Sequence, residues 1–458
     1  MHPLHQQIKL DWELPEKFYA AMLMVWISRS DLQETFPLHK ARREDFARYV
    51  AWCASHGRLE YTLLAELPEE LSEAERVARS KEVKLKLLSK LHTVKFLTQR
   101  VYERLQSRYA WLPRRASDAP LGSDVELLSD KLCSLHTQPV PKQIGEYPFG
   151  VNLFGYSAGE LGIGEDLRML ARAFECANVP FCIVNVAPGR NVSQKDLSVQ
   201  QWVVDEPVYA FNIFCMTGFE MCRYVLESGL ANLESKYNIG LWPWELEDWP
   251  STWRHAYTLV DEIWGISEFT ANSYRAAPVP VVPMPLPVVI SDIASLGRPH
   301  WNLPTSAYLF VFSFDMNSTI SRKNPRAVIE AFKQAAQDRH TDEVGLVLKI
   351  SHSDSNAAAW REIKKLIAGD SRIHVIAREM RKPEVLALYS CCDCYVSLHR
   401  SEGFGRALAE AQLLGLALIA TGYSGNLDFC SPPTDLVDYQ LVSLGDGDYP
   451  NGAGQRWA

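Results

Sequence analysis

Three things are missing from this chain of 458 residues. It has no uninterrupted apolar run of about 18 residues, the length that a spanning helix needs. The apolar stretch 19–27 is too short and follows an acidic segment, so it does not read as a signal peptide. There is no excess of basic charge either: 47 Lys and Arg stand against 55 Asp and Glu, a net charge of -8. That balance argues against nucleic acid as the main partner, because phosphate-backbone binding needs a basic surface. It leaves room for a local basic pocket around one small anionic ligand. The ten cysteines, finally, show no disulfide or zinc spacing. Scattered through a long chain, they suit free thiols in a reducing compartment. Cys391, Cys392 and Cys394 lead into the strand residues Tyr395 and Val396, so they read as buried structural thiols.

The length predicts two or three domains. Residues 1–140 are nearly free of glycine and rich in Leu, Glu, Lys and Arg. Helices are expected at 18–27, 44–55 and 73–108, the last from the three- and four-residue spacing of Val83, Leu87, Leu91 and Val94. Residues 31–37 read as a break. This helical extension carries no nucleophile with its base and reads as a packing or assembly module. A proline-bearing linker follows at 112–147.

From there strands and helices alternate, which implies parallel sheets covered on both faces. One series occupies 147–290 and the other 300–458, with a proline-rich joint at 278–287. The expected class is α/β, two Rossmann-like domains forming a cleft, with ligands at the carboxyl ends of the strands.

Four segments carry polar chemistry at strand ends. The loop 155–164 holds Gly155, Gly159, Gly162 and Gly164 and opens a helix, where free N–H groups attract anions. Its G-x-x-G-x-G spacing weakens a nicotinamide reading, and a plain tight turn stays open. Ser401-Glu402-Gly403-Phe404-Gly405 leads into a helix bearing Glu410. Glu402 would face the cleft, and a carboxylate such as Glu410 can accept both hydroxyls of a ribose. Arg322 and Lys323, before the helix-initiating Pro325, can neutralise a diphosphate, and Lys349 could add a further charge. Tyr423-Ser424-Gly425-Asn426 forms another polar turn at the same edge. No D-x-D-type metal site is recognisable, so no catalytic divalent ion and no separate cofactor are expected.

E-G-F-G-x-x-x-x-E, followed by A-T-G-Y-S-G-N and preceded by R-K-N-P and I-E-A-F, resembles the donor site of group-one retaining glycosyltransferases. The resemblance covers 147–458 and implies the GT-B fold of two facing Rossmann-like domains. It implies that Lys323 and Arg322 bind the donor diphosphate, that Glu410 holds the ribose, and that Glu402 contacts the sugar near its reacting carbon. Asp315 stands where many members carry an arginine, and Arg322 would substitute for it. The segment 241–250, rich in Trp and acid, resembles a subset linked to bacterial surface polysaccharides, including lipopolysaccharide O-antigen and exopolysaccharide. It makes Glu245 the acceptor-side candidate, with a Trp-rich core turn as the alternative; Ser267 and Glu268 would line the same opening. The implied partners are a nucleotide-sugar donor and a saccharide or lipid-linked saccharide acceptor. The resemblance suggests GDP-mannose as donor, leaving UDP- and dTDP-sugars open. It places the enzyme in the cytoplasm, with peripheral contact at the inner membrane face. A sugar-nucleotide epimerase, a non-catalytic binding subunit and an NAD-dependent enzyme are the other readings. Members usually continue beyond the position of Trp457, so the second domain is expected to lack its closing helices here.

Overall fold

A computed structural model describes residues 2–8, 17–38, 43–67, 147–188, 192–290, 292–340, 343–445 and 447–458. The helix expected at 73–108 and nearly all of the 112–147 linker lie outside the described residues. The chain divides into two compact units. The second comprises Pro243–Asp248, Gly265–Ser273 and Pro283–Ala458, and the first the remainder.

The first unit holds a seven-stranded sheet of β1 (Val151–Gly155), β2 (Phe181–Asn185), β3 (Val203–Val204), β4 (Phe211–Cys215), β5 (Tyr237–Trp242), β6 (Glu262–Gly265) and β7 (Val281–Pro283). Their order is β3-β2-β1-β4-β5-β6-β7, with β1 through β5 paired in parallel. The proline-rich joint therefore contributes β7, at an edge of the sheet, where a missing N–H is tolerated. The N-terminal helices belong to this unit. All eight residues of Ala20–Ile27 are buried. Residues 31–35, expected to break the chain, lie within a short helix, Ser30–Thr35, because Gln33 donates to the carbonyls of Trp26 and Ile27 and Arg29 clasps Asp31. Thr62 donates to the carbonyl of Glu227 at 2.7 Å, and Glu66 accepts the N–H of Leu230 at 3.1 Å. No helix among the described residues is long and apolar enough to cross a membrane.

The second unit repeats the plan with β8 (Tyr308–Asp315), β9 (Val344–Ser351), β10 (Ile373–Ala377), β11 (Cys394–Ser397), β12 (Ala417–Thr421) and β13 (Asp435–Val437). They are parallel throughout, in the order β10-β9-β8-β11-β12-β13. This is the Rossmann order, and its direction reverses between β8 and β11. Both faces of β8 are buried. Leu309 and Val311 enter one core with Leu388, Tyr395 and Leu408, and Phe312 and Phe314 enter the other with Ile329, Leu346 and Leu348. That explains its nearly continuous apolar run, since a parallel strand covered on two sides needs no polar face. Each such side chain withdrawn from water contributes about 1.5–3 kcal/mol. Within the described residues the chain ends in a small antiparallel hairpin, β14 (Val442–Ser443) with β15 (Arg456–Trp457). Its Trp457 is buried, with the Arg400 guanidinium 5.8 Å from the ring centre.

Candidate functional site

The site is built where β8 and β11 diverge. Beyond Asp315 the chain turns into a single helical turn, Ile320–Lys323. Asn324 then takes a left-handed conformation (φ 52°) and caps the helix Pro325–Ala335 by accepting the N–H of Ala327. Pro325 at the first helical position already has the required φ and lacks only an N–H that would be orphaned. Two bonds tie this turn to the segment after β11. Asn324 donates to the carbonyl of Leu398 at 3.0 Å, and the Arg400 N–H to the carbonyl of Arg322 at 2.8 Å. Arg322 and Lys323 are thereby delivered to Glu402.

Glu402 is 9% exposed and lies between two cations. Arg322 Nη1 donates to one carboxylate oxygen at 2.9 Å and Lys323 Nζ to the other at 2.5 Å. Burial alone would raise this carboxyl; the charges of Lys323 and Arg322 override it and hold it well below the usual range. Burial works against the Arg322 charge too, and Glu402 and Glu245 more than restore it. Arg322 Nη1 also donates to the carbonyl of Ser401 at 2.9 Å. Nη2 reaches Glu245 only at 3.5 Å, and the buried Nε–H has no hydrogen-bond partner. Glu245, named from sequence for the acceptor side, therefore joins the same cluster as Arg322. Tyr449, which sequence reasoning did not single out, donates its hydroxyl to the other Glu245 oxygen.

The glycine turn fits tightly. A side chain on Gly425 would come within 2.0 Å of the Gly403 carbonyl, and one on Gly403 within 2.7 Å of the Trp244 carbonyl. Ser267 and Thr270 donate to the carbonyl of Gly403 at 2.6 and 3.0 Å, and the Glu268 N–H donates to Asp428 at 2.9 Å. Gly405 takes φ 91° and starts the helix Arg406–Leu413. Phe404 packs on Phe429 with ring centres 5.1 Å apart. Ser424 accepts the Glu402 N–H at 2.8 Å, and Tyr423 donates to Glu247 at 3.1 Å. Asn426 donates to the carbonyl of Thr421 and meets Nε2 of His399 at 3.0 Å. His399, also missed from sequence, is buried, and that burial favours its neutral form. Its signal was a polar residue directly after a strand.

Glu410 is buried and paired with Lys382. Further along the same edge lie Asp315, Lys349 and His352. Lys349 is buried and donates to Ser351, and burial lowers its pKa. His352, with φ 51°, sits 3.0 Å from Asp315 and 3.8 Å from Glu379. The bond to Asp315 raises the imidazole pKa. Among the described residues no group of three or more His, Cys, Asp or Glu is arranged to hold a metal ion. Cys392 and Cys394 are buried and Cys391 is half-buried; burial pushes all three thiols up, that of Cys394 to about 12.

In the first unit, Gly162 and Gly164 open the helix Gly162–Cys176, as the loop pattern suggested. The loop closes largely on itself. Arg168, 4% exposed, donates to the carbonyls of Ser157 and Gly159 at 3.0 and 2.9 Å and pairs with Glu165 and Asp196. A side chain on Gly164 would meet the Gly159 carbonyl at 2.4 Å, whereas the position of Gly162 is open. Close backbone packing thus requires the first of these glycines, and open space surrounds the second.

The family described as glycosyl transferases group 1 matches residues 309–432. No curated protein sequence matches the chain. Among solved structures, Anabaena HepE, in complex with UDP and glucose, is 14% identical with a TM-score of 0.43, over 63% of this chain and 86% of its own. The lipopolysaccharide outer core galactosyltransferase WaaB is 14% identical with a TM-score of 0.42, over 63% and 85%. The pneumococcal O-GlcNAc transferase GtfA is 17% identical with a TM-score of 0.37, over 50% of this chain and 46% of its own. The matched segment 309–432 contains Arg322, Lys323, Glu402 and Glu410, and it is similar to the group 1 glycosyl transferases.

Proposed function

We propose that the chain is a glycosyltransferase whose second unit binds a nucleotide-sugar donor through its diphosphate. The sugar passes to a saccharide or lipid-linked saccharide, in the assembly of a surface polysaccharide at the inner face of the membrane. The observation that carries this reading is Arg322. A guanidinium presents five N–H donors. Here Nη1 is spent on Ser401 and Glu402, while the edge formed by Nε and Nη2 keeps a buried donor unpaired. That edge has the two-pronged geometry that phosphate oxygens accept. Lys323 holds the other oxygen of Glu402, and both residues lie at the switch point where open α/β sheets bind ligands.

Cleavage of the donor's glycosidic bond leaves negative charge on the diphosphate. Arg322 and Lys323 stabilise it electrostatically, in a buried setting where such charges act strongly. Glu402 fixes both cations and stands near the reacting carbon. Glu410 accepts the ribose hydroxyls, and the turn from Gly403 to Gly405, with Tyr423, Ser424, Gly425 and Asn426, encloses the donor. Transfer with retention needs no separate base when the departing phosphate oxygen takes the acceptor's proton on the same face. GDP-mannose is the first donor to test, ahead of UDP- and dTDP-sugars.

The test is transfer by the full chain from each radiolabelled nucleotide sugar to saccharide acceptors. Lys323→Ala and Glu402→Ala should each reduce turnover by about 100-fold, the scale of losing one electrostatic contact to a transition state. Wild-type turnover in a folded Lys323→Ala protein would overturn the assignment. A changed sugar formed from donor alone would identify an epimerase, and nucleotide binding without transfer a binding subunit.

A further inference from the structure

Glu245 approaches Arg322 at Nη2, and Glu245 is in turn held by a residue of the hairpin region. Between β14 and β15 the chain loops past the segment 243–248. It is pinned there at several points. The Asp248 N–H donates to the Gln455 side chain at 3.1 Å, and the Ala458 N–H to the carbonyl of Arg400 at 2.9 Å. Trp457 is buried, and the Tyr449 ring meets the Trp244 ring edge-on with centres 5.3 Å apart. These anchors leave the Tyr449 hydroxyl on Glu245.

Glu245 is thus shared. One oxygen accepts from Tyr449, and the other stands 3.5 Å from Nη2 of Arg322, beyond hydrogen-bond length. Its position is set further by its own carbonyl, which accepts the hydroxyl of Ser401. Glu245 and an incoming diphosphate would compete for the same guanidinium edge. A carboxylate held by a hydroxyl donor competes less well than one with that charge unsatisfied.

We propose that Tyr449 is a positioning residue: by holding Glu245 it keeps the Nε–Nη2 edge of Arg322 open for the donor diphosphate. This rests on the donor-site reading above. Without the hydroxyl, Glu245 closes on Nη2 and the ligand must displace it.

The experiment is calorimetric titration of GDP, UDP and dTDP into wild type, Tyr449→Phe, Glu245→Gln and the double variant. Phenylalanine keeps the ring on Trp244 and removes only the hydroxyl. Tyr449→Phe should weaken binding of the preferred nucleotide by about tenfold, the scale of one charge-assisted hydrogen bond. Glu245→Gln should bind at least as tightly as wild type, and adding Tyr449→Phe to it should change nothing. A merely structural role for Tyr449 predicts the same loss in both backgrounds, and that result, or no loss in either, overturns the proposal. If wild type binds none of the three nucleotides, the donor-site reading itself fails and this inference with it.

Discussion

At the scale of single residues, Glu402 shows charge and burial pulling against each other. Its carboxyl is depressed by Lys323 and Arg322 despite burial. Stability from this group is therefore fully present above the ordinary carboxylate value of about 4.3 and is lost as pH falls through the depressed value. Glu402→Gln leaves two cations facing each other, and breaking a buried pair in this way costs about 3–5 kcal/mol. Its melting point should fall well below wild type at neutral pH, and the gap should narrow below about pH 4. A gap that stays constant on acidification would refute that account. His352 carries the opposite sign. Asp315 raises its pKa, so its contribution is present below about 6.5 and disappears as pH rises through the raised value. Melting curves of His352→Gln and wild type should differ at pH 5.5 and converge in alkali.

At the scale of elements, the glycine turn at Gly403 is a backbone-to-backbone fit. Gly425 allows Gly403 to approach, and Ser267 and Thr270 grip the carbonyl that results. Gly425→Ala should therefore cost about 1–3 kcal/mol, the usual penalty of overpacking, and weaken nucleotide binding, as denaturant melts and titration would show. Many helices and parallel strands of both units were legible where each carries its own signal, but the short strands β3 and β13 and the helix Gly218–Ser228 were not. Pro325–Ala335 and Ala357–Ile367 are strongly amphipathic helices with a clear start, and β8 and β9 are apolar runs closed by polar ends. Arg322, Lys323 and Glu402 could each be named as candidates because each follows a strand end in its own segment, whereas their meeting across about 80 positions is seen only in the structure. What was hidden is non-local. Nothing in the sequence near Tyr449 states that it meets Glu245, 204 positions earlier. Arg168 reads as an ordinary helix residue until its guanidinium is seen under the glycine loop. β7 was concealed by its prolines, which an edge position excuses.

At the scale of the whole molecule, a nucleotide that binds only the folded chain must raise its melting temperature. At 100 times Kd the added stability is about 2.7 kcal/mol. A scan with GDP, UDP and dTDP should show one clear winner, and Lys323→Ala should erase its shift. The cluster proposed to receive the ligand holds two cations and two carboxylates, Arg322 and Lys323 against Glu402 and Glu245. It is electrically balanced before anything arrives. A diphosphate brings at least two further negative charges into low dielectric, where uncompensated charge is costly. The complex should restore neutrality by drawing protons from solution. Heats of binding measured in buffers of different ionisation enthalpy should then diverge, and identical heats in all of them would refute this.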